Sequence, residues 1–244
     1  MKSCAITDKG IVRKQNQDAY YASCDDGRGC AVLLVCDGMG GARAGNVASE
    51  LATQVFSDEV NRGLEDAMRE GTLCTLMKAA LRTANSAVYE LSRSDEDCAG
   101  MGTTVVAAVV IGDEATVLNV GDSRAYHISG GRITQITRDH SVVEDMIRRG
   151  DITREQSMTH PNKNLITRAV GTVSRVEADL FSVRLRDGDY LLLCSDGLSN
   201  LVSDEEMLYE VTNCGHVERS CEKLLRLSIS RGAPDNVTVV LFQK

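Results

Sequence analysis

The apolar positions of this chain fall into two rhythms. Short runs with strand character lie at about residues 3–7, 18–23, 30–36, 103–111, 115–120, 124–128, 132–136, 177–184, 189–195 and 237–242. Helical spacing is clearest at 46–62, 73–93, 141–149, 204–213 and 216–230. In the second helix Leu73, Leu76, Met77, Ala80, Leu81, Ala84, Ala87, Val88 and Leu91 recur three and four residues apart, which lines one face for burial. Val217, Cys221, Leu224, Leu225 and Ile229 do the same in the last. Gly112-Asp113, Ser129-Gly130-Gly131 and Asp187-Gly188 supply turn chemistry between strands. Strands arrive in antiparallel-looking blocks with paired helices between them, not in strict β-α-β alternation. The pattern predicts an α+β fold: a four-layer α-β-β-α sandwich, two packed antiparallel sheets flanked by helix pairs.

Two of the strand runs stop on Asp-Gly: Ala31–Cys36 before Asp37-Gly38, and Tyr190–Ser195 before Asp196-Gly197. A continuous apolar run reads as a buried strand, so each acid is held at the edge of a core, where an unpaired carboxylate is costly. Asp-Gly is also a favoured hairpin turn, but a hairpin needs a strand directly afterwards. Neither site has one; helical patterns follow, from about Asn46 and Asp204. Two distant carboxylates on strand ends suggest ligands for one hard cation. Three further acids share this placement. Asp122 lies within the strand pattern Val117–Tyr126, where Asp is disfavoured, with a salt bridge to Arg124 as the plainer reading. Asp235 precedes the final strand, where turn chemistry alone explains an Asp, and Asp18 precedes another. Oxygen donors with few Cys or His suit Mg²⁺ or Mn²⁺ in preference to zinc.

Composition narrows the class. The 244 residues suffice for one large domain, here taken as 1–244, and the longest apolar runs fall short of a membrane span. With no secretory-type apolar leader at Met1–Gly10, the expectation is a cytoplasmic protein without a membrane partner. The nine cysteines are scattered with no C-x-x-C pair, and read as mostly buried, reduced thiols. A net charge of −8 argues against a nucleic-acid partner. It also opposes an anionic substrate, unless bound cations reverse the sign locally.

The ordered motifs resemble the PP2C-type metal-dependent serine/threonine protein phosphatases, in their compact bacterial branch. R-K-Q-N-Q-D at 13–18, V-C-D-G-M-G-G at 35–41 and G-T-T at 102–104 come first, then N-V-G-D-S-R at 119–124 and R-D-H-S at 138–141. L-I-T-R-A-V-G at 165–171, S-D-G-L at 195–198 and D-N-V-T at 235–238 complete a set that spans almost the whole chain. The resemblance implies that Asp37 bridges two Mn²⁺ or Mg²⁺ ions, with the Gly38 carbonyl on one of them, where a glycine permits close backbone approach. It implies that Asp196 and Asp235 complete the first site, that Asp18 acts through water, and that Asp122 with Asp196 holds a third, weaker ion. Arg13 is implied to grip the substrate phosphate, for which a guanidinium fork is suited. The resemblance further implies that hydroxide generated between the two ions attacks phosphorus in line, with no phosphoenzyme. Implied partners are phosphorylated proteins, among them a Hanks-type kinase and its substrates, for a monomeric enzyme.

The chain departs from the wider family at three points. Met39 follows Asp-Gly where eukaryotic members have His, Gln17 stands where they have a metal-binding Glu, and Asn200 replaces an Asp of many relatives. Met39 has no proton to give, so the acid for the leaving group is unassigned. His140 is a candidate general acid, with a structural residue capping the helix near Ser141 as the plainer reading, and Arg168 is either a cleft residue or half of a salt bridge. His127, His160 and His216 have no assigned role. Residues 144–163 are read by resemblance as a flap beside the site that tunes substrate choice. The competing classes are a phosphoprotein-binding pseudophosphatase, opposed by the presence of Asp37, Asp196 and Asp235, and a metal-dependent nuclease or other phosphodiesterase, opposed by the acidic composition.

Overall fold

The computed structural model describes residues 1–25, 27–41 and 44–244. The order is β1 (Lys2–Asp8), β2 (Asp18–Asp25), β3 (Cys30–Met39), α1 (Ala44–Glu70), α2 (Leu73–Ser94), β4 (Gly102–Thr103), β5 (Val105–Ile111), β6 (Glu114–Val120) and β7 (Arg124–Ser129). Then come β8 (Arg132–Gln135), α3 (Val142–Arg149), α4 (Arg154–Met158), β9 (Asp179–Arg184), β10 (Tyr190–Cys194), α5 (Asp196–Ser199), α6 (Asp204–Asn213), α7 (Val217–Ser230) and β11 (Val237–Gln243). One sheet runs β1-β11-β10-β7-β8 and the other β2-β3-β5-β6-β9, with β4 on β3, and every pairing is antiparallel.

The two-residue alternation of a strand sorts side chains into three buried layers. Val32, Leu34 and Cys36 of β3 lie against α1 and α2 with Phe56, Val60, Met77 and Leu81. Ala31, Leu33 and Val35 face the other way, between the sheets, with Leu191 and Leu193 of β10 and Val240 and Phe242 of β11. Leu192, Cys194, Val239 and Leu241 pack under α6 and α7 with Met207, Val211, Cys221 and Leu224. That is the expected α-β-β-α layering. The expected strands and helices are present, with α1 longer than its apolar spacing alone predicted.

Antiparallel register brings the acid-bearing strand ends to one pole. Asp18 begins β2 directly opposite Asp37 near the end of β3. In the other sheet Asp196 follows β10 and Asp235 precedes β11, its hydrogen-bonded neighbour. Asp122 sits in the connection from β6 to β7, which crosses between the sheets; it is not inside a strand, contrary to the sequence pattern. The break is produced by Gly121, whose φ of 105° is foreign to a strand of L-residues.

Candidate active site

A cavity of about 230 Å³ opens at this pole, lined by Arg13, Asp37, Gly38, Asp122, Asp196 and Asp235 among others. Asp18 lies behind it, buried. Thus all seven residues singled out from the sequence come together at one pole.

The backbone of Asp37 is fixed by two threonines. Its N–H donates to Thr104 Oγ1 at 2.9 Å, and its carbonyl accepts from Thr103 Oγ1 and from the Thr104 N–H, each at 2.9 Å. Packing independently requires a glycine at position 38. A Cβ there would fall 2.0 Å from the Gly45 carbonyl oxygen and 2.5 Å from that of Gln17, so close contact with the start of α1 excludes a side chain. Gly197 obeys the same rule, since its Cβ would meet the Asn236 carbonyl oxygen at 1.9 Å. Both Asp-Gly glycines are packing glycines.

Asp18 Oδ2 accepts from Ser195 Oγ at 2.7 Å and Thr238 Oγ1 at 2.6 Å, which ties β2 to the other sheet. Its Oδ1 is buried with no hydrogen-bond partner. Asp235 receives Arg13 Nη2 at 2.7 Å, and Asp196 receives Asn200 Nδ2 at 3.1 Å. Arg124 does not pair with Asp122 as the plainer reading had it. It engages Asp139 through Nε and Nη2, at 2.7 Å for the shortest contact.

Burial and mutual repulsion raise four of these acids above the usual carboxylate range. Asp37 is driven well above the usual carboxylate range by desolvation, then by Asp18, Asp196, Asp122 and Asp235. Desolvation pushes Asp18 up to about 7 against its two hydroxyl donors, with Asp196 and Asp235 adding to the rise. It pushes Asp122 up to about 7, with Asp196 as the next cause. Asp196 rises to about 6 through burial and Asp235. Such a cluster calls for positive charge. Among the described residues no three acidic, imidazole or thiol side chains form a ready-made ion cage; Arg13, Asn200, Ser195 and Thr238 hold part of the carboxylate oxygen instead.

Several supporting residues carried no signal of their own in the sequence. Asn236, buried, donates through Nδ2 to the carbonyls of Lys9 at 2.9 Å and Gln15 at 3.0 Å, and accepts from the Gln17 N–H at 2.9 Å. One side chain therefore staples the whole β1–β2 loop that presents Arg13. Its only advance sign was its place in D-N-V-T. His140 is structural, but its role is not the helix cap. Ser141 caps α3, accepting from the Glu144 N–H at 3.2 Å. His140 Nδ1 accepts from the Gly121 N–H at 3.1 Å, so its neutral ring carries the proton on Nε2, toward Asp179 Oδ2 at 3.3 Å. Arg168 pairs with the same Asp179 at 3.0 Å, which settles it as half of a salt bridge. Met39 and Gln17 line the cavity, whereas none of the four histidines does.

The segment anticipated as a flap forms α3 and α4. These border a second hollow of about 300 Å³ that shares Asp122, Asn164 and Asp196 with the first. Cys36 and Cys194 turn toward the helices, and burial pushes both thiols up to about 12.

Comparison with known proteins supplies the family. A model described as "Protein phosphatase 2C" matches residues 11–228. The serine/threonine phosphatase stp of Listeria monocytogenes serotype 4b is 36% identical over 240 residues, covering 98% of this chain and 94% of that protein. The crystal structure of the Mycobacterium tuberculosis serine/threonine phosphatase PstP/Ppp superposes with a TM-score of 0.88 at 38% identity, covering 98% of this chain and 97% of the other. A structure of the PstP catalytic domain in complex with two manganese ions gives a TM-score of 0.85 at 37% identity, covering 98% and 96%. With these matches spanning nearly the whole chain and its two-sheet fold, the chain belongs to the protein phosphatase 2C family and is a serine/threonine phosphatase.

Proposed function

We propose that the acidic cavity binds two Mn²⁺ or Mg²⁺ ions and hydrolyses phosphoserine and phosphothreonine in proteins. The observation that carries this reading is the Asp18–Asp37 pair: two carboxylates directly opposite across β2 and β3, one with a buried oxygen lacking any partner. Like charges so placed destabilise a sheet unless a cation lies between them. The donor set contains only oxygen, which suits hard divalent ions. In this reading Asp37, the Gly38 carbonyl, Asp196 and Asp235 would hold the two catalytic ions. Asp18 would act through water, and Asp122 with Asp196 would hold a third, weaker ion. When bound, the two catalytic ions would neutralise the phosphate dianion and acidify water at neutral pH.

The chain's own groups do the rest. Arg13 lies at the cavity mouth on Asp235, held there by a loop that Asn236 staples, and its fork offers two parallel donors to phosphate oxygens. Neither Cys36 nor Cys194 serves as a nucleophile, because each lies under a helix layer with its thiol held protonated. Phosphoryl transfer directly to water, as the family resemblance implies, requires neither thiol. Met39 and the absence of a histidine from the cavity lining leave water held by the ions as the group that would protonate the departing alkoxide. The whole chain 1–244 acts as one catalytic domain and as a monomer in the cytoplasm, opposing a Hanks-type kinase. No helix among the described residues is long and apolar enough to cross a membrane.

The test is phosphate release from a phosphothreonine peptide in Mn²⁺, in EDTA, and by Asp37→Asn in Mn²⁺. Release is expected in the first condition alone. Well-folded protein that releases none in Mn²⁺, or releases it equally in EDTA, would overturn the reading.

A further inference from the structure

Large apolar side chains left in solvent are few among the described residues: Ile11, Val12, Tyr20, Met158, Leu165, Val173 and Tyr209. Scattered singly they would mean nothing. Three of these seven instead adjoin, along the chain, residues that line the acidic cavity, and a fourth lines the neighbouring hollow. Ile11 and Val12, 61% and 67% exposed, immediately precede Arg13 at its mouth. Leu165, 53% exposed, lies between Asn164 and Ile166, which both line the cavity. Met158, 70% exposed, lines the hollow that shares Asp122, Asn164 and Asp196 with it.

The exposure is built into the backbone. Ile11 N–H donates to the Ala233 carbonyl at 3.0 Å, and Asn236 holds the carbonyls of Lys9 and Gln15 on either side. Gly10, at φ 74°, presses on Asp235 so closely that a Cβ would lie 2.2 Å from its carbonyl oxygen. Ile11 and Val12 therefore cannot turn inward by a loop adjustment. On the opposite lip the Leu165 carbonyl accepts from Val142 N–H at 2.9 Å, which anchors it to the start of α3. Met158, at the end of α4, contributes a flexible thioether able to fit several shapes. A phosphoryl group reaching the carboxylates arrives between these lips, so the chain that carries it is the occupant the geometry defines.

We propose that Ile11 and Val12 on one lip, and Met158 and Leu165 on the other, form an apolar collar that binds bulky apolar side chains flanking the phosphorylated residue of protein substrates. The enzyme thereby selects phosphosites set in aliphatic or aromatic sequence over sites in acidic or small-residue sequence. This rests on the phosphatase reading of the cavity.

The experiment measures kcat/KM in Mn²⁺ for three phosphothreonine peptides that differ only in flanking Leu, Ser or Glu, with p-nitrophenyl phosphate alongside. The wild type is expected to favour the Leu-flanked peptide over both others by about tenfold or more, as apolar pockets discriminate. In Ile11→Ser/Val12→Ser and in Met158→Ser/Leu165→Ser the Leu-to-Ser ratio should fall severalfold. Taking the ratio within each variant cancels any general change in activity. Wild-type ratios within twofold, a preference for Glu, or an undiminished ratio in both double variants would overturn the collar. If p-nitrophenyl phosphate is hydrolysed while the peptides are not distinguished, the collar fails and the phosphatase reading stands; if nothing is hydrolysed, both fail. A dimer in gel filtration that the same substitutions dissolve would assign the apolar lips to a second copy instead.

Discussion

Asp37→Asn should stabilise the metal-free protein while abolishing its activity. Asn is the shape of the protonated acid, so the Asp37 contact with Asp196 can persist while a negative charge leaves the cluster. Directly opposed residues on antiparallel strands stand about 5 Å apart. Two unit charges at that separation and an effective dielectric constant near 20 repel by about 3 kcal/mol. The native acids already escape part of this by retaining protons, which leaves a net gain of about 1–2 kcal/mol near pH 8. For a chain of this size that is a rise in Tm of about 2–8 °C in EDTA. Manganese should invert the order. An ion at a hundred times its dissociation constant stabilises the wild type by about 2.7 kcal/mol, and the variant, lacking the bridging carboxylate, gains little. The assay is a thermal melt of both proteins in EDTA and in Mn²⁺, beside phosphopeptide turnover. A variant that melts below the wild type in EDTA, or shows the same Mn²⁺-induced rise, refutes the argument.

Asn236→Ala should be costly at a distance from the cation site. It strands two buried-side carbonyls and one N–H of the β1–β2 loop, so a loss of about 2–4 kcal/mol is expected in urea unfolding, together with a raised KM as Arg13 loses its support. Gly38→Ala, whose Cβ meets backbone oxygen at 2.0 Å, should lose at least about 3 kcal/mol; a melt within a degree of wild type would contradict the packing account. The pH dependence of the metal-free fold follows from Asp18, Asp37, Asp122 and Asp196, all held above the usual carboxylate value. Their native state binds more protons than the unfolded chain, so their stabilising contribution is full below about pH 4 and declines as pH rises through about 6–7. In EDTA the Tm should therefore fall from pH 5 to pH 8 on their account, and Mn²⁺ should reverse the fall at pH 8.

Much of the fold could be read from periodicity because each strand and helix here advertises its buried side within its own segment. Leu33 and Leu34 belong to different layers, and their alternation along β3 decides it. Where backbone geometry broke the rhythm the reading slipped. Gly121 diverts the chain before Asp122: the separate runs at 115–120 and 124–128 left room for the break, but treating Val117–Tyr126 as one strand placed the acid inside it. The acids were legible for a different reason: Asp37 and Asp196 interrupt apolar runs at positions where a core has no use for a charge.

The sequence by itself determined the two-sheet layering, the seven residues of the acidic pole and, through their ordered motifs, the family. Tertiary structure alone decided what each of them touches. Asp18 opposes Asp37 through strand register, while Arg13 meets Asp235 and Asn236 staples the Arg13 loop across more than two hundred residues of sequence. Gly38 and Gly197 are demanded by the backbones of Gly45 and Asn236. The division has one physical cause. Hydrophobic periodicity is a local property that each segment carries with it, whereas the opposition of two charges, the reach of one amide and the absence of room for a Cβ exist only once distant segments have been brought together.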